Sequence, residues 1–146
     1  MNHILSNETI QTFVQHFYDE DINSENHFLF LQGNGYTAVS APHSVPQWRN
    51  GNIKKGEYLT GVLAHFLHDT LDCHAIYKTR NNNDDANFDE HNMYKDQLIK
   101  NVNKLQLAYL IDLHIMSDHR PQAIELGTAH CRNIQWKTDI PEKIKE

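Results

Sequence analysis

Residues 107–114 read LAYLIDLH, an apolar run with a single acidic interruption before its final histidine. A run of this kind suits a buried central strand, covered on both faces of its sheet. Coverage on both faces needs helices. The chain offers them at residues 57–72, where Leu59, Val62, Leu63, Phe66, Leu67 and Leu71 recur on one helical face. A second helix is expected over about 7–19, behind a cap at Ser6 or Asn7, with Ile10, Phe13, Val14 and Phe17 on one side. A third is expected over 93–105, carrying Met93, Leu98, Val102 and Leu105.

Between the helices lie short strand-like stretches. HFLFLQ and YTAVSA are separated by Gly33, Asn34 and Gly35, and they read as a hairpin or as two strands around a tight turn. CHAIYKT reads as a strand, and PQAIELGT as a further one. Residues 41–56 read as loop, and RNNNDDANFDEHN as a long polar loop. Helices alternating with strands predict an α/β class: a three-layer domain with a mixed, mostly parallel sheet flanked by helices. The 146 residues fit a single domain, with the core over about 27–128 and a polar tail over 136–146.

Composition narrows the function. The formal net charge is -6, which argues against nucleic acid as the main partner, because phosphate binding needs a basic face. No stretch approaches a membrane span, and the first residues lack the charged-then-apolar order of a signal peptide. Cys73 and Cys131 are far apart and form no CxxC pair, so the expected compartment is a reducing cytoplasm. The oligomeric state is left open. Arg49, Lys54 and Lys55 form a local basic cluster that either meets an anionic substrate or is a solvated loop.

Two strands end alike, YTAVSAPH at His43 and LAYLIDLH at His114. In open α/β sheets, sites gather at the carboxyl ends of strands. If these two strands are parallel neighbours, their terminal histidines share one crevice. Imidazole and carboxylate together suit zinc, and Glu57, at the start of the next helix, can supply a third ligand. Three protein ligands leave one position open, as catalytic zinc sites require. Each residue also has a plainer reading. Asp112 and His114 share a strand face as half-buried polar residues, and Glu57 favours a helix N-terminus by its charge alone.

SAPHS, GEYLTG, IDLH and ELGT follow one another in the order and approximate spacing of the N-formylglutamate amidohydrolases, and the chain resembles that family from about Tyr36 to Thr128. These are zinc-dependent hydrolases related in fold to the carboxypeptidase A group. The resemblance implies zinc on His43, Glu57 and His114, with Asp112, Leu113 and His114 matching the Asp-Leu-His motif residue for residue. The family's polar segment near the substrate falls in TRNNNDDANFD, where Arg80, Asn83, Asp84, Asp85 and Asn87 are candidates without a one-to-one alignment. A solvated turn cluster is the plainer reading of that segment. Gly127 and Thr128 match a later motif whose Asp and Asn positions hold Ala123 and Glu125 here.

The reaction implied is zinc-assisted hydrolysis of an amide in a small carboxylated substrate, such as an N-acyl amino acid or a γ-glutamyl compound. Glu125 is the candidate proton acceptor, Asp112 orients a ligand histidine, and Arg49 pairs with the substrate carboxylate. The alternatives are a non-catalytic metal-binding or interaction module, and a fragment of a longer amidohydrolase.

Overall fold

The computed structural model describes residues 6–21, 23–116 and 119. The chain divides into two compact units, Met1–Ile115 and Met116–Glu146. The first is described below. The expected strand near 121–128, the tail over 136–146, Cys131 and Glu125 lie outside the described residues.

Helix α1 spans Asn7–Asp19 and is capped by Ser6, whose side chain accepts from the Thr9 N–H at 3.1 Å. Four strands form the main sheet: β1 (Phe28–Leu31), β2 (Thr37–Ala41), β5 (His74–Lys78) and β6 (Tyr109–Asp112). A two-stranded ribbon, β3 (Gln47–Arg49) with β4 (Asn52–Lys54), follows β2. Helix α2 covers Tyr58–Leu71 and helix α3 covers Met93–Leu105.

The sheet order is β1-β5-β2-β6. β2 runs parallel to both β5 and β6, while β1 joins β5 antiparallel. The described residues therefore form an α/β fold, with three helices on a mixed, mostly parallel sheet and a small hairpin beside it. β5 is fully buried, and its side chains alternate between two cores. Tyr77 enters one with Phe17, Val39, Ala41 and Val62, against α1 and α2. Ile76 enters the other with Tyr94, Ala86, Phe28 and Phe30, against α3. The Phe17 ring meets Tyr77 edge-on at 5.4 Å. Gly61 lets α2 approach closely, since a Cβ there would come within 2.5 Å of the Phe17 ring.

Three expectations need correction. HFLFLQ and YTAVSA are not a hairpin, because β5 lies between β1 and β2. Residues 41–56 are not wholly loop. Asn50 and Gly51, at φ 51° and 79°, make the two-residue turn that joins β3 to β4. Positive φ at both positions matches the twist of the flanking strands, which is why Asn-Gly favours hairpins. Finally, among the described residues LAYLIDLH is not flanked by strands on both sides. β6 ends the described sheet, and its four residues are exposed. The buried strand beside it is β2, whose small residues allow close packing on both faces.

Candidate metal centre

β2 and β6 pair in register from Thr37 with Tyr109 to Ser40 with Asp112. Both strands run the same way, so the residues just past their carboxyl ends meet. The His43 and His114 rings lie 5.0 Å apart between centroids. Glu57 takes the N-cap position of α2 but makes no side-chain cap bond. Its backbone N–H donates to the His43 carbonyl at 2.6 Å, which leaves the carboxylate turned toward the histidines. One donor atom from each of His43, Glu57 and His114 lies within 4.8 Å of the others, a group that could hold a metal ion.

The choice of ring nitrogen is set by neighbouring carboxylates. Nε2 of buried His43 lies 2.9 Å from Asp85 Oδ1, so Nδ1 is left facing Glu57 Oε1 at 3.2 Å. Nε2 of His114 lies 3.3 Å from Asp112 Oδ2, and its Nδ1 lies 3.4 Å from Glu57 Oε2. Each histidine is thus held through one nitrogen by an aspartate and presents the other to the same glutamate. Carboxylate partners of this kind fix ring orientation and raise ligand basicity at metal sites.

The electrostatics follow from these contacts. Burial pushes Glu57 up, but the adjacent His114 and His43 rings, the Lys54 ammonium and the Ile115 N–H outweigh it and hold the carboxyl well below its ordinary range. Burial likewise opposes ionisation of Asp85, and the bonds from Arg49, His43 and the Phe88 N–H overcome it, so this carboxyl is also depressed. Hydrogen bonds to Asp112 and Glu57 push His114 up to about 9 against the opposing effect of burial. Both carboxylates are ionised at neutral pH, ready to face a cation.

The remaining candidates separate into two groups. Arg49 reaches the cluster: its Nε donates to Asp85 Oδ2 at 2.7 Å, and its guanidinium carbon sits 4.8 Å over the Phe88 ring. Asn87 supports Asp85 through its backbone N–H, at 3.1 Å from Oδ1. Asp84 is instead bound to the buried Lys78 ammonium, and Asn83 occupies a turn at φ 55°. Arg80 bonds His27 Nδ1 through Nη2 at 2.9 Å.

Two features of the site were not read from the sequence. Asp85 reads in the sequence as one of several residues near a substrate, yet it is the fully buried partner of His43. Its 42-residue separation from His43 leaves no local signal. In the sequence Lys54 reads only as part of a basic loop. Its Nζ lies 2.6 Å from Glu57 Oε1 and 2.8 Å from His43 Nδ1. The Asn-Gly turn that brings it there was visible in the sequence. Comparison of the chain with protein-family models, curated proteins and solved structures finds no match.

Proposed function

We propose that the protein is a zinc-dependent hydrolase of the N-formylglutamate amidohydrolase type, acting on an amide bond of a small carboxylated substrate. The observation that carries this reading is the paired anchoring of the histidines, by Asp85 and Asp112, with both Nδ1 atoms turned to Glu57. A nitrogen-nitrogen-carboxylate set suits zinc and leaves a coordination position free. Bound there, zinc would polarise an amide carbonyl and lower the pKa of a coordinated water.

The chain's own residues do the rest. Asp85 holds His43 and Arg49 with its two oxygens, so it fixes a ligand and an anion-binding group together. Among the described residues, the two terminal nitrogens of Arg49 make no hydrogen bond, while its Nε is anchored. That leaves a planar fork, set in place before binding, for a substrate carboxylate.

A second reading is a metal-binding module without catalysis. It is favoured by the fact that, among the described residues of the site, Glu57, Asp85 and Asp112 each already engage a histidine, so none of these three is left over as a proton acceptor.

Protein purified without chelator should carry about one zinc per chain, and His43→Ala or His114→Ala should each remove most of it. If neither elemental analysis nor added zinc shows a bound ion, the metal reading falls. Hydrolysis separates the two readings. N-acyl amino acids should be cleaved in preference to their amidated counterparts, and Arg49→Lys should lower kcat/KM roughly ten- to a hundredfold without loss of zinc. Zinc binding with no hydrolysis of either substrate series would favour the module.

A further inference from the structure

The ammonium of Lys54 touches the same two atoms that a metal ion would need, Nδ1 of His43 and Oε1 of Glu57. These two acceptors are only 3.2 Å apart. When the His43 proton sits on Nε2 toward Asp85, Nδ1 and Oε1 both carry lone pairs, and a cation between them relieves their repulsion. Lys54 supplies that cation from the last position of β4. Its side chain is about one-third exposed, so it has a route to solvent. A donor lone pair cannot serve an ammonium N–H and a metal ion at once.

We propose that Lys54 is a tethered counter-cation of the donor set: it holds His43 and Glu57 together in the metal-free protein, and metal binding expels it toward solvent. This rests on the metal reading above and adds an affinity control to it. The metal-free site stays assembled because one cation stands in for another. The cost is competition. If Lys54 holds the donors nine-tenths of the time, the apparent metal affinity is weakened about tenfold.

The test has two arms. In the first, wild-type protein is treated with an amine-acylating ester, with chelator or with saturating zinc, and modification of Lys54 is followed by peptide mass spectrometry. Lys54 should react several-fold faster with zinc present, while Lys100 and Lys104 on α3 keep their rates. In the second, zinc affinity is measured for wild type, Lys54→Met and Lys54→Gln by competition with a chromophoric chelator, with folding checked by circular dichroism. Both variants should bind about tenfold more tightly or better. Unchanged affinity in the variants, or an unchanged Lys54 labelling rate, overturns the proposal and leaves the metal site standing. If no protein binds zinc, both readings are overturned. If the variants do not fold, the labelling arm on wild-type protein decides alone.

Discussion

Asp85→Asn is the most informative single change, because it alters charge and hydrogen-bond direction while keeping the shape. Asp85 is fully buried. Oδ1 accepts from His43 and from the Asn87 and Phe88 N–H groups, and Oδ2 accepts from Arg49. An amide offers one acceptor oxygen and one NH₂. Whichever way it turns, its NH₂ must face a donor, either the Arg49 guanidinium or the group around His43.

If the oxygen stays with His43, the loss is the Arg49 pair, one charge-assisted bond of about 1.5–3 kcal/mol. If it turns to Arg49, the His43 ring loses its anchor, and removal of such a partner weakens metal affinity about 10–100-fold. In both cases a neutral amide replaces a carboxylate beside His43, and ligand basicity falls. Zinc affinity by chelator competition should therefore drop by at least the lower end of that range. Urea unfolding of the chelated protein should show a stability loss of about 2 kcal/mol or more. Asp112→Asn is the internal control. Asp112 holds His114 at a longer 3.3 Å and is more exposed, so its effect on zinc should be smaller. An Asp85→Asn protein that binds zinc as wild type does, or an Asp112→Asn protein that loses more, would refute the assignment of Asp85 as the anchor of His43.

The chelated protein should be most stable between about pH 4.5 and 6.5. Depressed Glu57 contributes above its ordinary 4.5 and loses that contribution as pH falls, whereas raised His114 contributes below 6.5 and loses its contribution as pH rises through about 9. A urea series in which stability climbs steadily from pH 6.5 to 9 would contradict this. Tyr94→Phe should cost about 1–3 kcal/mol in the same assay, because the buried hydroxyl bonds Ser40, the Ala41 N–H and the Ile76 carbonyl, and the change takes a partner from each. A loss below half a kcal/mol would mean that these groups find other partners.

The parts legible in the sequence were those written in short-range pattern. The helical spacing of apolar residues over 57–72 marked α2, found at Tyr58–Leu71, and the spacing over 93–105 marked α3 at Met93–Leu105. The shared ending of two apolar runs in histidine pointed to a common crevice, and the parallel pairing of β2 with β6 brings the two rings together. Sheet order was less legible. An apolar run identifies a strand but not its neighbours: LAYLIDLH reads as central, and among the described strands β6 lies at the end of the sheet. The hairpin carrying Arg49 and Lys54 was announced by Asn50 and Gly51, and its short, polar strands masked the signal. Asp85 could not be singled out among the acids and amides of its loop. Its role comes from a contact made across 42 residues by folding, which no local pattern records.

If the site holds a metal, its charges favour a divalent ion. At neutral pH the carboxylates of Glu57, Asp85 and Asp112 face Arg49, Lys54 and a His114 imidazole whose pKa is pushed up to about 9. With His43 left out of the count, the negative and positive charges balance. A metal that takes Nδ1 of His114 needs that nitrogen's lone pair, so the imidazolium must give up its proton. A metal that takes Nδ1 of His43 and a Glu57 oxygen displaces the Lys54 ammonium from them. One proton and one ammonium leave the donors, and two positive charges arrive. A dication therefore preserves the balance that a monovalent ion would leave short and a trivalent ion would exceed. The balance matters because an uncompensated charge in a half-buried cluster carries a desolvation penalty of several kcal/mol. The same reasoning limits what can be changed. Removing Glu57 would leave His114, Lys54 and Arg49 in excess beside the fully buried Asp85, so Glu57→Gln should weaken the assembly of the site as well as its hold on metal.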